Sequence, residues 1–514
     1  MQILMIASEN DAIKGAKVGG VADVVRDAPR ALVKQGQQVS VVIPDYNYFS
    51  DHYPIILSQT FNVPFQGRLE QVVLNKLDVD DFGVTQYVLC HPLFNQGGGV
   101  YLNDNDNRPF ARDASKYALF NAAVAEALKL GQLAIPDVLH LHDWHSAVTS
   151  VLIRFSERYQ SLQHIKQVFT VHNIALQGIR PFAHDDSSLE TWFPSLSYDG
   201  QVICDPRYQH CFNPMRAAIN LADKVHVVSD TYAKEILQPS NHQQGYFGGE
   251  GLESDLNEAE QQGRLIGIIN GCEYDLPAAD KTELVSFLID AQQHVLRWLS
   301  RDAQLKTVHY LANERIKQWL EAGTQVGPLV TSIGRLTDQK VLLLRQRTHG
   351  HSVMDELLDD LADVNGRMII LGSGDSQIEN EFMRLMGQHT NIVFLNGYGQ
   401  SLSDSLYPIG DLFLMPSSFE PCGISQMLAL RAGQPCLVNG VGGLKDTITH
   451  MENGFVFNGD SLGAQTAQLK AVFNLALTTF SEQPNKWQQM VEKAKATRFS
   501  WFDSANDYIN RLYK

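Results

Sequence analysis

Three clusters in this sequence carry side chains able to do chemistry. The densest is Asp411–Thr447, DLFLMPSSFEPCGISQMLALRAGQPCLVNGVGGLKDT. Leu412–Met415 is apolar and stopped by Pro416, so it reads as a short buried strand. Ser417–Gly423 is a polar turn carrying Glu420, Pro421, Cys422 and Gly423. Ile424–Ala432 follows as a helix, with Ile424, Leu428 and Ala432 on one face. Cys436–Val438 is the next strand, and Gly440, Gly442 and Gly443 make a second tight loop. A helix that starts just after Gly423 directs unpaired N–H groups and a positive dipole end at a ligand, which suits a pyrophosphate. A carboxylate at that point would repel phosphate. Glu420 therefore faces a sugar or ribose hydroxyl or a cationic transition state, unless it only caps the helix while the glycines turn the chain.

The second cluster is HLHDWH, at the end of the strand Val138–His142, with His172-Asn173 after the strand Gln167–Val171. His140, His142 and His145 suggest a metal, but an i, i+2 pair shares a face only inside the strand, and no acidic ligand set follows. A polar sheet edge or a sugar site fits better than a metal centre. The third cluster is Lys17-x-Gly19-Gly20, between a buried strand Gln2–Ala7 and a helix Val21–Gln35. Its spacing is not the dinucleotide G-x-G-x-x-G. By itself, a lysine before two glycines is an ordinary solvated loop residue.

The elements around these clusters are those of an α/β protein. Strand, glycine loop, helix and the strand Gln38–Ile43 open the chain as a βαβ unit, with Pro29 expected to kink or interrupt the helix. Ile55–Leu89 alternates in period two and predicts a β-rich insertion or antiparallel edge. Ala111–Leu130 is helical, Val225–Ser229 and Ile266–Ile269 are strands, and GYFGGEGLESD between them is a glycine-rich loop. Leu284–Leu320 reads as a linker elaborated into helices. A second α/β half starts at Leu329–Ile333 and continues through strands at Arg367–Leu371 and Ile392–Leu395. A last amphipathic helix, Asp503–Tyr513, is expected to pack back on the first half.

At 514 residues the chain exceeds what one core supports, so two domains are the default. A net charge of −16 argues against nucleic acid or an anionic membrane as the main partner. The six cysteines form no C-x-x-C pair, which points to reduced thiols in a cytoplasmic protein. No run approaches a membrane span, and MQILMIASEN lacks the charged start and apolar core of a leader.

Taken together, KVGGVADVV, HLHDWHS, FTVHNIALQG, the VS-x-TYA-x-EI segment at Val228–Ile236, GIINGCEYD, GRL-x-x-QK, GSGD, FEPCG and VGGLKDT span nearly the whole chain. In this order they resemble the bacterial glycogen and plant starch synthases, glycosyltransferase family five. The resemblance implies a GT-B fold: two facing Rossmann-like domains with an inter-domain active-site cleft. Domain bounds are expected at 1–280, with 495–514 packing back on it, a helical connection at 281–325, and a nucleotide-sugar domain at 326–494. It also implies retaining transfer of glucose from ADP-glucose or UDP-glucose to an α-glucan, with no metal ion or bound cofactor.

Carried over by position, Lys17 and the Gly19–Gly20 backbone would meet the donor pyrophosphate, with Asp23 on the acceptor side. Asp143 and His172 would bind the glucose, and Asn173 and Asn270 would line the same cleft. Arg335 and Lys340 would neutralise the leaving diphosphate. Glu420 would hold glucose hydroxyls, with Cys422 and Gly423 lining the sugar and Leu444–Thr447 near phosphates and ribose. The chemistry agrees: charge grows on a departing phosphate, and fixed cations and helix N-termini stabilise it electrostatically. Val341 stands where the family usually has glycine. LPAADK (276–281), Leu284–Leu320 and the acceptor region Asn95–Arg112 depart from the family pattern, which leaves transfer to a small hydroxylated acceptor, or a silent glucan-binding homologue, as the rival readings.

Overall fold

The computed structural model describes residues 1–46, 49–102, 108–274, 283–301, 305–323, 327–348 and 350–514. LPAADK and part of the Asn95–Arg112 region lie outside the described residues. The chain divides into two compact units. The first comprises residues 1–240, 248–271 and 500–514, and the second comprises residues 241–247 and 272–499. Among the described residues no helix is long and apolar enough to cross a membrane.

The first unit contains β1 (Gln2–Ile6), β2 (Gln38–Pro44), β3 (Ile55–Phe65), β4 (Arg68–Leu77), β5 (Thr85–Cys90), β6 (Val138–His142) and β7 (Lys166–Val171). A two-residue ribbon of β8 (Arg180–Pro181) and β9 (Cys211–Phe212) comes next, then β10 (Lys224–Val227) and β11 (Leu265–Gly267). Nine of these strands form one sheet in the order β11-β10-β7-β6-β1-β2-β5-β4-β3. It is parallel from β11 to β5, and β4 and β3 close it as an antiparallel edge, as the period-two stretch predicts. The central strands β1, β6 and β7 are almost wholly buried, and β1 accordingly reads as a near-continuous apolar run while β6 carries its two histidines inside the unit. The chain leaves β1 toward β2 on one side and returns to β6 on the other. Ligands of open α/β sheets bind at the carboxyl ends of strands at such a reversal, and here the loops after β1 and β6 occupy it.

The helix Gly20–Lys34 runs through Pro29 without the expected break. A proline inside a helix costs about 3 kcal/mol. That cost is offset by burial of Val24, Val25, Ala28, Pro29, Ala31 and Leu32 along one face. The C-terminal helix Trp501–Asp507 continues as a wider turn through Tyr508–Tyr513 and lies against this helix, with Gln35 Nε2 donating to the Phe502 carbonyl at 2.6 Å.

The second unit contains β12 (Leu329–Ile333), a small ribbon of β13 (Arg347–Thr348) and β14 (His351–Ser352), then β15 (Arg367–Gly372), β16 (Ile392–Asn396), β17 (Leu412–Met415), β18 (Cys436–Asn439) and β19 (Gly454–Phe457). Its sheet is parallel throughout, in the order β16-β15-β12-β17-β18-β19. The order reverses between β12 and β17, so the loops carrying Arg335 and Glu420 come out side by side. The stretch read as a linker forms the helices Leu284–Arg301 and Thr307–Ala322. Phe287, Ala291, Val295, Ala312, Ile316 and Trp319 belong to the same buried cluster as the strand residues Leu329, Ile369 and Phe394. These helices are thus part of the second unit's core.

Candidate functional site

Each unit presents one polar edge at the carboxyl ends of its strands. In the second unit, β12 ends in Gly334-Arg335-Leu336 and leads into the helix Asp338–Arg345, whose first turn carries Lys340. β17 ends in the turn Ser417–Gly423. The two loops are tied together by the Ser418 amide donating to the Gln339 carbonyl at 2.8 Å. Lys340 Nζ donates to Glu420 Oε2, and Ser417 Oγ donates to the same oxygen at 3.2 Å. Glu420 is buried and Lys340 is half-buried, whereas Arg335 is exposed and has no hydrogen-bond or ion-pair partner among the described residues. A small pocket beside them is lined by Gly334, Arg335, Lys340, Pro416 and Ser417. The edge therefore offers one uncommitted guanidinium and one carboxylate–ammonium pair, enough to bind an anion and a hydroxyl-rich group side by side.

The capping alternative for Glu420 fails, because the helix Ser425–Ala432 takes no side-chain cap. Its buried face is also not the one expected: Gln426, Met427, Ala429 and Leu430 point inward, while Ile424, Leu428 and Ala432 are only partly covered. Gln426 explains the difference. Its Nε2 donates to the carbonyls of Cys422 and Gly423, both at 3.0 Å, and to Thr447 Oγ1 at 3.3 Å. A polar side chain turned into the unit satisfies the turn that holds Glu420.

Gly442 and Gly443 begin the short helix Gly442–Thr447, where a loop was expected. The Gly443 amide donates to the carbonyls of Glu420 and Pro421 at 3.1 and 3.2 Å, so these glycines brace the acidic turn. A Cβ on Gly442 would lie 2.0 Å from the Glu420 carbonyl oxygen, at a backbone φ of +43°. Gly442→Ala is expected to cost about 1–3 kcal/mol in stability and to displace Glu420. Thermal melting with an activity assay checks this, and an unchanged melting curve with full activity would refute it. Leu444 and Thr447, expected near phosphates and ribose, both turn their side chains into the unit. The Leu444 side chain lies in a hydrophobic cluster, and Thr447 Oγ1 donates to the Gly443 carbonyl at 2.7 Å. Cys422 is buried beside the turn.

In the first unit, Lys17 Nζ donates to Asp23 Oδ1 at 2.6 Å and to Asp11 Oδ2 at 3.2 Å. Burial opposes its charge, but the two carboxylates more than offset this and hold the ammonium above its ordinary range. Asp23, expected on the acceptor side, is here the lysine's partner. The Gly19 amide, expected to meet phosphate, donates with the Val18 amide to Glu9 Oε2 at 2.5 and 2.6 Å. A carboxylate takes the positive end of the helix Gly20–Lys34, as the helix dipole favours. Glu9 Oε1 accepts from Tyr101 Oη at 2.5 Å, which links the glycine loop to the 97–102 segment. Beside Gly20 there is open space.

Asp143 follows β6 with φ at +55°, an uncommon backbone state for a non-glycine residue. Its Oδ1 accepts from the His172 amide at 2.8 Å, and the Asn173 amide also donates to this carboxylate. Burial pushes the Asp143 carboxyl up to about 7 against those two amides. Asp143 thus clamps the turn after β7 with the group that was expected to reach glucose. Asn173 Oδ1 accepts from the Ala175 amide at 2.9 Å, and Asn270 Oδ1 is buried without a partner among the described residues.

The His172 ring meets His142, Nε2 to Nδ1 at 2.9 Å, and burial holds both imidazoles well below their ordinary range. A second chain runs beside them: Tyr513 Oη to His140 Nδ1 at 2.7 Å, His140 Nε2 to Thr170 Oγ1 at 2.6 Å, Thr170 Oγ1 to His226 Nδ1 at 2.8 Å, and His226 Nε2 to the Ile268 carbonyl at 3.3 Å. The carbonyl can only accept, so His226 donates from Nε2, Thr170 donates to His226, His140 donates to Thr170, and Tyr513 donates to His140. Each imidazole in this chain is neutral and its tautomer is fixed. The i, i+2 histidines do share a face, stacked at 4.5 Å, but they are spent on these bonds. Among the described residues no group of three His, Cys, Asp or Glu side chains is placed to hold a metal ion.

Sequence reasoning missed Glu9, Gln426 and the pairing of His142 with His172. It also missed Tyr398, which follows β16 at the same carboxyl edge as Arg335 and is 66% exposed. A tyrosine between two glycines was the available signal for that ring.

A family model described as the starch synthase catalytic domain matches residues 2–258, and one described as glycosyl transferases group 1 matches residues 328–496. A glycogen synthase of Streptococcus mutans is 32% identical over 532 residues, covering 100% of this chain and 99% of that protein. A glycogen synthase of Clostridioides difficile is 30% identical over 511 residues, covering 96% of each. A solved structure, the catalytic domain of starch synthase IV from Arabidopsis thaliana bound to ADP and acarbose, is 26% identical with a TM-score of 0.73, covering 100% of this chain and 98% of that one.

Proposed function

The chain belongs to the glycogen and starch synthase family of glycosyltransferases, and we propose that it moves glucose from ADP-glucose to the non-reducing end of an α-1,4-glucan, retaining the anomeric configuration and using no metal ion or bound cofactor. The observation that carries this reading is the edge of the second sheet, where Arg335 stands uncommitted beside the Lys340–Glu420 pair. ADP is preferred to UDP as the leaving group because the similar starch synthase structure is bound to ADP. Tyr398 offers an exposed ring at that edge for a base to stack on.

In this reading the bond from the glucose C1 to the diphosphate oxygen breaks, and that oxygen keeps the electron pair. Arg335 and Lys340 stabilise the charge that develops there, and an uncommitted guanidinium can donate to two phosphate oxygens at once. Glu420 accepts from glucose hydroxyls and favours the positive character growing at the ring. A glucan hydroxyl attacks C1 on the face the diphosphate leaves, and its proton passes to the departing phosphate. In the first unit, Lys17 exchanges a carboxylate partner for a phosphate oxygen, and His172 hydrogen-bonds the sugar.

Diphosphate release from ADP-glucose and from UDP-glucose, each with glycogen, a malto-oligosaccharide or no acceptor, tests the proposal. Glucan-stimulated release of ADP is expected, and it should survive a chelator because cations of the chain itself neutralise the leaving group. Release that ignores glucan would point to a small acceptor, and loss of activity in chelator would overturn the metal-independent reading.

A further inference from the structure

We propose that His142 is a positioning residue that fixes the tautomer of His172, holding it with Nδ1 protonated and Nε2 bare. His142 is 1% exposed, and its Nδ1 lies 2.9 Å from His172 Nε2. Its other nitrogen, Nε2, is buried without a partner among the described residues. A neutral imidazole carries one proton, and burial keeps His142 neutral. If that proton sat on Nε2, a buried N–H would be orphaned. If it sits on Nδ1, what is left unmatched is a lone pair, the less costly of the two. His142 therefore donates from Nδ1, and His172 Nε2 accepts.

The consequence falls on His172. Its Nε2 is occupied as an acceptor, so its single proton rests on Nδ1, which makes no hydrogen bond within the described residues. The ring thus reaches the site as a fixed donor. The surroundings hold the pair in register. The rings of His142 and His172 lie within 21° of parallel, with centroids 5.2 Å apart. On its other side His142 stacks on His140, whose own tautomer is set by Tyr513 and Thr170. The His172 backbone is pinned by Asp143. A ring fixed in both rotation and tautomer needs no reorganisation when a sugar oxygen arrives.

The benefit to transfer rests on the assignment of His172 to the sugar site, but the tautomer itself does not. The first test therefore reads nitrogen rather than activity. Nitrogen-15 histidine spectra of the full-length protein at pH 7.5, with the His172 signals assigned by their loss in His172→Gln, should give a protonated Nδ1 and a bare Nε2. A protonated Nε2, or an even mixture of tautomers, would overturn the proposal. The second test compares two variants. His142→Phe keeps the stacked ring and removes the donor, and His142→Asn returns an N–H close to the lost Nδ1. kcat should fall about tenfold in the phenylalanine variant with little change in donor KM, and asparagine should restore most of it. Equal kcat in both folded variants would count against the role. If His142→Phe does not fold, or if no glucosyl transfer is found, the spectra of the native protein still decide the tautomer.

Discussion

Glu420→Gln is expected to lower kcat by about 10²–10³-fold while the melting temperature moves by only a few degrees. Glutamine keeps the volume of the side chain and can still accept from Ser417 Oγ, so the turn loses charge but not shape. Lys340 loses its carboxylate, yet its side chain is 28% exposed and water takes up the ammonium. What disappears is the negative group that favours a positively charged sugar and that holds Lys340 in place. The opposite deletion behaves differently. Lys340→Ala leaves the Glu420 carboxylate buried without its cation, and a buried charge stripped of its partner destabilises the fold. Both variants should lose turnover, but only Lys340→Ala should lower the melting temperature clearly. Glu420→Gln with normal kcat would remove Glu420 from the transfer step. A fall in kcat matched by an equal loss of folded protein would make its role structural.

The sequence exposed this site unevenly, for physical reasons. A strand such as Leu412–Met415 is buried on both faces, so it appears as an apolar run with a sharp stop, and the polar turn after it is easy to locate. Strand order is what brings Lys340 to Glu420, 80 residues apart, and no local pattern encodes that contact. Gln426 was hidden for another reason. Periodicity assigns faces by hydrophobicity, and a buried glutamine whose amide serves two turn carbonyls and the Thr447 hydroxyl looks like a surface residue. Glu9 likewise reads as a loop acid until the amides of Val18 and Gly19 are seen pointing at it. Leu284–Leu320 misled because its charged outer faces resemble those of a linker, while one apolar side of each helix completes the second core.

Acidification from pH 7.5 to 5.5 is expected to lower the melting temperature of the first unit by roughly ten degrees. His140, His142, His145, His172 and His226 are buried and neutral, with His226 drawn down to about 3 and the other four well below their ordinary value. Desolvation is the main cause in each. In the unfolded chain these rings titrate near pH 6.5, so below that pH the unfolded state binds protons that the folded state refuses. Stability is therefore lost as pH falls from about 6.5 toward the folded values, by about 1.4 kcal/mol per ring at pH 5.5. Asp143 works in the opposite direction. Burial raises its carboxyl to about 7, so the folded state takes up a proton as pH drops through 7, which returns about 2 kcal/mol over the same interval. The histidines outnumber it, and the net loss is on the order of 5 kcal/mol, a large share of a domain's stability. Protonating His140 or His226 also turns Tyr513 Oη or Thr170 Oγ1 from donor to acceptor, so that hydroxyl proton loses its partner in the chain. A melting temperature that stays flat over this range would mean that water reaches these rings and that they titrate in the folded protein.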